Sequence, residues 1–397
     1  MLTPLPYHDA IRGHLKEHVA AAWSHFRSDE WREEHAREAD LELAKSTVLL
    51  DEETHARVYE LARDAAQKVG VKVDVELFQG DAQGGLNAAL YFAPDRARIV
   101  LYGPLQERLQ EDELLALLGH ELAHHVLWTT DEGEFFTTMR TLNGLSWAGA
   151  SESIAATERM YRLTTETFAD RGGYLASGST DALIRCLIKT RTQLSEVDAQ
   201  AFLRQAEKVI AQTKGSEAFE HPETYLRAKA ITLFADRAEG SEEEVQELLT
   251  GALELHDLDL VGRVELSALS RSFVDHLLAP DWFRTTAVLA HAGLLFEDYS
   301  HRAPQHDVAT LETELRRYGP TSLDYLAFLL LDFIVVDTDL ADLPLAQAQT
   351  LAESVGLLDR LEKHVNRELK MTKKAIASVR AQRETLLTAA LTNESAP

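Results

Sequence analysis

The stretch EDELLALLGHELAHHVLW, Glu111 to Trp128, is the most apolar helical pattern in the chain, yet its middle carries three histidines and a glutamate. Its leucines predict a buried helix, and burying imidazoles and a carboxylate without partners is costly. Glu111, Asp112 and Glu113 fall in the first turn, where carboxylates complement the helix dipole. Residues four apart share a helix face, so His120 and His124 point at one place with Glu121 beside them. His125 is turned away by about 100° and is not expected to join them. A zinc ion held between His120 and His124 supplies the missing compensation, and the fold must then bring it a further ligand.

A catalytic zinc takes three protein ligands and keeps one position for water. The metzincin continuation requires Gly at 127 and His at 130, where this chain has Leu127 and Thr130. Downstream, ETFADRGG (Glu166 to Gly173) lies on a second helical segment. Glu166 and Asp170 are four apart, so Glu166 can bind the ion while Asp170 accepts the distal N–H of a ligand histidine. No other glutamate between Thr129 and Gly178 has an aspartate four residues on, which singles out this pair.

HELAH and ETFAD, together with Asn87-Ala88 in a preceding strand and HPETYLR at His221 to Arg227, resemble the HtpX and CAAX-prenyl-protease type family of gluzincin metallopeptidases. The resemblance spans about Glu52 to Asp236. It implies one Zn2+ per chain on His120, His124 and Glu166, with Glu121 catalytic. It also implies His221 as a donor to the developing oxyanion and Arg227 orienting acidic groups near the site. The expected activity is that of a zinc-dependent endopeptidase using a metal-activated water, with Glu121 as general base passing the proton to the leaving amine. The substrate is then a polypeptide, and an exposed edge around Asn87 and Ala88 would pair with it as an added strand. The transmembrane helices that many relatives carry around this core are absent from the sequence pattern.

Around these motifs the chain reads as mainly α with a small antiparallel β-sheet, an α+β gluzincin-type core followed by an all-helical domain. Residues 1–45 form an amphipathic helical extension with Trp23, Phe26 and Trp31 as packing residues. Residues 46–240 hold the metallopeptidase domain: a helix from Glu52 to Gly70, a strand in VKVDVELF, then LNAALYFA and RIVLY joined by a turn at Pro94-Asp95-Arg96-Ala97. The charged stretch RAEGSEEE, Arg237 to Glu244, marks the boundary to a domain of residues 241–397. Within that domain VVDTDLADLPLAQAQTLAESVGL resembles TerB-type helical domains of tellurite resistance. It is a candidate for substrate recognition, regulation or a protein partner. The segment Thr129 to Thr157, between the two ligand helices, is a candidate lid.

A net charge of −25 repels phosphate backbones and argues against nucleic acid as a partner. One cysteine, Cys186, permits no internal disulfide, and its apolar helical context predicts packing. No signal peptide is visible, and the longest apolar run, Tyr325 to Val336, is too short for the ~20 residues of a membrane helix, so a cytoplasmic protein without membrane insertion is expected. HLKEH at His14 to His18 formally matches an inverted zinc motif but has no downstream partner. His301 and His306 read as loop residues, and Asp337-Thr338-Asp339 as a helix-start cluster. The competing reading is a catalytically latent or inactive, metal-stabilised interaction or regulatory protein working through its helical C-terminal half. A zinc enzyme acting on something other than a peptide is a third.

Overall fold

The computed structural model describes residues 2–81, 85–149, 151–237, 240–304 and 307–394. It divides into two compact units, Met1–Gly251 and Ala252–Pro397. His306 lies outside the described residues, as do residues 238 and 239 of RAEGSEEE.

The first unit starts with helices α1 (Pro6–His18), α2 (Ala20–Arg27) and α3 (Asp29–Ser46). Apolar periodicity works as expected in α1, where Ile11 and Leu15 are fully buried, and Trp23 of α2 is buried as well. Lys16 and Arg27 both reach Glu134, at 2.8 and 2.5 Å, tying this segment to the helix that Glu134 begins. Residues 1–45 thus belong to the same compact body as the motif helices.

A four-stranded sheet follows, of order β1-β2-β4-β3: β1 (Thr47–Leu49), β2 (Asp74–Gly80), β3 (Asn87–Ala93) and β4 (Arg96–Tyr102). The antiparallel expectation needs correction, because the sheet is mixed. β3 and β4 form an antiparallel hairpin with Ala93 opposite Arg96, but β2 and β4 run parallel, Leu77 opposite Ile99. The chain leaves β2, lays β3 at the outer edge, and the hairpin folds β4 back into the space between them. The three-residue β1 pairs antiparallel with β2 and carries too little alternation to be read from sequence. Between β1 and β2, helix α4 (Ala56–Val69) begins later than Glu52 because the Asp51 carboxylate accepts from the Thr54 N–H at 2.9 Å, closing a turn there. It ends at Gly70, whose φ of +93° suits the glycine expected there.

After the short α5 (Leu105–Arg108) come the motif helices α6 (Glu111–Thr129) and α8 (Glu152–Ser177), with α7 (Glu134–Trp147) between them. Glu113 reaches back to the Gln110 N–H at 2.9 Å, completing the start of α6. α6 and α8 approach closely because small residues face each other. A Cβ added at Gly119 would come within 2.7 Å of the Gly172 carbonyl oxygen, and one at Gly172 within 2.7 Å of that of Gly119. Within the candidate lid segment, α7 buries Phe135, Thr138, Thr141 and Leu142, and Tyr161 of α8 donates to the Phe135 carbonyl at 3.0 Å; residue 150 of that segment lies outside the described residues.

Helices α9 (Thr180–Thr192), α10 (Ala199–Ile210), α11 (Thr224–Asp236) and α12 (Ser241–Thr250) complete this unit. α12 buries Val245 and Leu249, and Glu242 pairs with Arg171 of α8 at 3.0 Å. These contacts make α12 part of the first compact unit, which runs to Gly251.

The second unit is helical: α13 (Leu260–Leu277), α14 (Thr286–Leu295), α15 (Val308–Leu315), α16 (Pro320–Ile334), α17 (Leu343–Ser354), α18 (Leu358–Glu368) and α19 (Lys373–Glu394). It has its own core, with Phe273, Phe283 and Phe333 fully buried. Arg380 pairs with Glu362 and Arg383 with Glu353 inside the unit. Asp337 caps a single 3-10 turn over Thr338–Leu340, accepting from the Asp339 N–H. Among the described residues no helix is long and apolar enough to cross a membrane.

Candidate metal centre

The close approach of α6 to α8 at their facing glycines brings three candidate ligand residues together from two helices. His120, His124 and Glu166 are buried, and one ligand atom from each lies within 4.8 Å of the others. His120 Nε2 is 3.5 Å from Glu166 Oε2, and His124 Nε2 is 3.5 Å from Glu166 Oε1. Ligand atoms placed tetrahedrally at ~2.1 Å from a common centre are about 3.4 Å apart, so the spacing suits one zinc-sized ion. Glu166 Oε2 is buried among nitrogen groups, with His221 Nδ1 at 2.8 Å, His120 Nε2 at 3.5 Å and Arg227 Nη2 at 3.6 Å. The donor set therefore fits zinc. Among the described residues no other cluster of three such side chains forms; His14 and His18 sit with ring centres 4.4 Å apart and gain no third ligand.

The surroundings orient the ligands. Asp170 Oδ1 lies 3.0 Å from His120 Nδ1, leaving Nε2 to face Glu166. Arg227 of α11 closes on Asp170 with Nε at 2.8 Å and Nη2 at 2.6 Å. Burial pushes Asp170 toward protonation, but the Arg227 guanidinium outweighs it and holds the carboxyl below its ordinary value. Burial is the main force pushing His124 down to about 4. At His120 burial acts the same way, yet the Asp170 and Glu166 carboxylates win and raise it to about 10.

Glu121 is buried next to the ligands, raised above the ordinary carboxylate range chiefly by burial, and accepts from the Leu90 backbone N–H of β3. β3, the outermost strand of the sheet, brings Asn87 and Ala88 to the wall of a cleft of about 510 Å3 that also holds the ligands, Glu121, His221 and Arg227. His221 places Nδ1 2.8 Å from Glu166 Oε2, outside hydrogen-bonding alignment, with 59% of its side chain exposed. Every residue expected at the site from sequence thus lines one cleft or, for Asp170, stands directly behind it.

Other features were not anticipated. His125, the third histidine, points away as expected, but it is not idle, since its Nε2 lies 3.0 Å from the Ala93 carbonyl oxygen and fastens α6 to the end of β3. The Trp128 indole stacks on His124, ring centres 5.3 Å apart. It is one helical turn on, so the spacing His124-x-x-x-Trp128 carried that signal. Cys186 is buried, its thiol pushed up by burial, as its packing role predicts.

Two paired helices supplying His-Glu-x-x-His and a downstream glutamate, flanked by an edge strand, define the class of gluzincin-type metallopeptidases. Residues 50–234, just under half of the chain, match the family model described as Peptidase family M48. No match was found among curated proteins or solved structures. The match places residues 50–234 among peptidase-like sequences.

Proposed function

We propose that the protein is a zinc-dependent endopeptidase, with one Zn2+ held by His120, His124 and Glu166 and with Glu121 as general base. The observation that carries this reading is a buried carboxylate, Glu121, immediately beside three buried side chains whose candidate ligand atoms lie within 4.8 Å of one another. Bound zinc supplies Lewis acidity, making water a nucleophile near neutral pH and polarising a carbonyl. Glu121 takes the proton of the attacking water on its carboxylate and delivers it to the leaving amine. The Leu90 N–H steadies Glu121 for that transfer. Asn87 and Ala88 offer main-chain groups to an extended polypeptide along β3, a mode of binding that is only loosely sequence-selective. His221, open to the cleft beside Glu166, is placed to donate to oxygen as negative charge develops there.

The test is cleavage of a mixed peptide library by the zinc-loaded protein beside Glu121→Gln. The variant should keep its zinc and lose turnover by ~10²–10⁴-fold, the range of a positioned acid–base group. An equal rate in the two proteins would overturn the assignment.

A further inference from the structure

Beyond the metal cleft, a second cavity of about 470 Å3 lies where α3 covers the far ends of β3 and α6. Its walls are aromatic: Trp31 and His35 of α3, Phe92 of β3, Trp128 of α6 and Phe136 of α7. Phe92 and Phe136 ring centres are 4.4 Å apart, Phe92 and Trp128 5.7 Å. The same elements line both spaces in sequence order. β3 contributes Leu90 to the cleft and Phe92 to the cavity; α7 contributes Met139 and then Phe136; Trp128 belongs to both. Trp128 stacks on the candidate ligand His124, and its Nε1 is buried without a partner among the described residues.

The strand sets the register. Leu90 bonds to Glu121, and Phe92 lies two residues further along β3, about 7 Å at the strand rise. A polypeptide laid along β3 therefore reaches the cavity within about four residues of the bond facing Glu121. At the rim, Arg32 is engaged by the Glu132 carbonyl at 3.2 Å and the Glu132 carboxylate by Arg27 at 2.9 Å, so these charges are already committed.

We infer that this cavity is a specificity pocket for a bulky apolar side chain, aromatic or branched aliphatic, of the polypeptide substrate. The inference rests on the peptidase reading for its register. It assigns α3, outside the segment that matches the M48 family, five of the twelve residues of the pocket wall and hence part of the sequence preference. Ala36, on the half-buried face of α3, lines the cavity and allows it to be filled without touching the ligands.

The experiment digests a peptide library with the zinc-loaded protein and with Ala36→Phe, both checked for folding by circular dichroism. Cut sites should be enriched on the order of 10-fold in Phe, Trp, Leu or Ile at one position within four residues of the cut. Ala36→Phe should lose that enrichment. Cleavage with no such enrichment, with enrichment in charged residues, or with the same enrichment in Ala36→Phe overturns the pocket and leaves the peptidase reading standing. If the wild-type protein cuts nothing, the peptidase reading is what fails, and the cavity is read by binding of acetyl-Gly-Gly-Phe-Gly-Gly-amide through the fluorescence of Trp31 and Trp128. Saturable quenching that Ala36→Phe abolishes supports an apolar side-chain pocket; no quenching, or equal quenching in both proteins, overturns it.

Discussion

Arg227 holds Asp170 in a two-pronged grip, Nε on Oδ2 at 2.8 Å and Nη2 on Oδ1 at 2.6 Å, and the same Oδ1 faces His120 Nδ1 at 3.0 Å. A chain of contacts thus runs from α11 through α8 to the candidate ligand His120 on α6. Groups that fix a ligand histidine typically contribute 10–100-fold to metal affinity. Asp170→Asn is expected to weaken zinc binding by about that factor, measured by competition with a chromophoric chelator. Arg227→Met should weaken it too, because Asp170 is left buried and loosely oriented. Affinities equal to wild type in both variants would mean that His120 is held in place by packing alone.

The approach of α6 to α8 makes a second expectation. Gly119 and Gly172 each stand where a Cβ would press on the other helix's backbone within 2.7 Å, and neither backbone can yield without moving a ligand helix. Gly119→Ala should destabilise the first unit by about 1–3 kcal/mol, the usual cost of overpacking, and weaken zinc binding at the same time. Thermal unfolding with and without zinc checks both effects. A stable variant with unchanged affinity would show that the helices can separate without disturbing His120 and Glu166.

Much of this centre was legible because helical periodicity is a strong signal: HELAH and ETFAD each fix which side chains share a face, and burial demands compensation for them. What periodicity lacks is the partner. Nothing in ALLGHELA says that Gly119 meets Gly172, although a glycine directly before a ligand histidine in a buried helix was a clue to close approach. Strand direction was illegible for a similar reason, since Pro94-Asp95 signals the β3–β4 hairpin but not that β4 inserts beside β2. Trp31 was recognised as a packing residue, yet its place in a cavity with Phe92 and Trp128 depends on tertiary contacts spanning most of the first unit.

His8 gives an expectation in acid. It is fully buried between α1 and α8, accepts from the Leu5 N–H at Nδ1 and places Nε2 3.2 Å from Thr165 Oγ1. Burial, assisted by the Arg171 charge, lowers it from 6.5 to about 3. Between those values the unfolded chain binds the extra proton, so this group's contribution to stability is intact above pH ~6.5 and declines as pH falls toward ~3, by up to ~1.4 kcal/mol per pH unit. Urea unfolding at pH 7 and pH 5 should show wild type losing about 2 kcal/mol more than His8→Gln over that interval. Parallel losses in the two proteins would contradict a neutral, buried His8.

His221 separates two physical roles. Its Nδ1 is 2.8 Å from Glu166 Oε2, but most of the ring remains open to the cleft. A donor that meets oxygen only as charge develops lowers the barrier without tightening the ground state, so its loss appears in kcat. His221→Ala is expected to reduce kcat by ~10²–10³-fold while leaving KM and zinc affinity within a few-fold of wild type. A fall in zinc affinity with kcat unchanged at saturating metal would instead make the ring a prop for Glu166. The distinction is measurable because the two side chains come from separate elements, Glu166 from α8 and His221 from the segment just before α11, so either can be replaced alone.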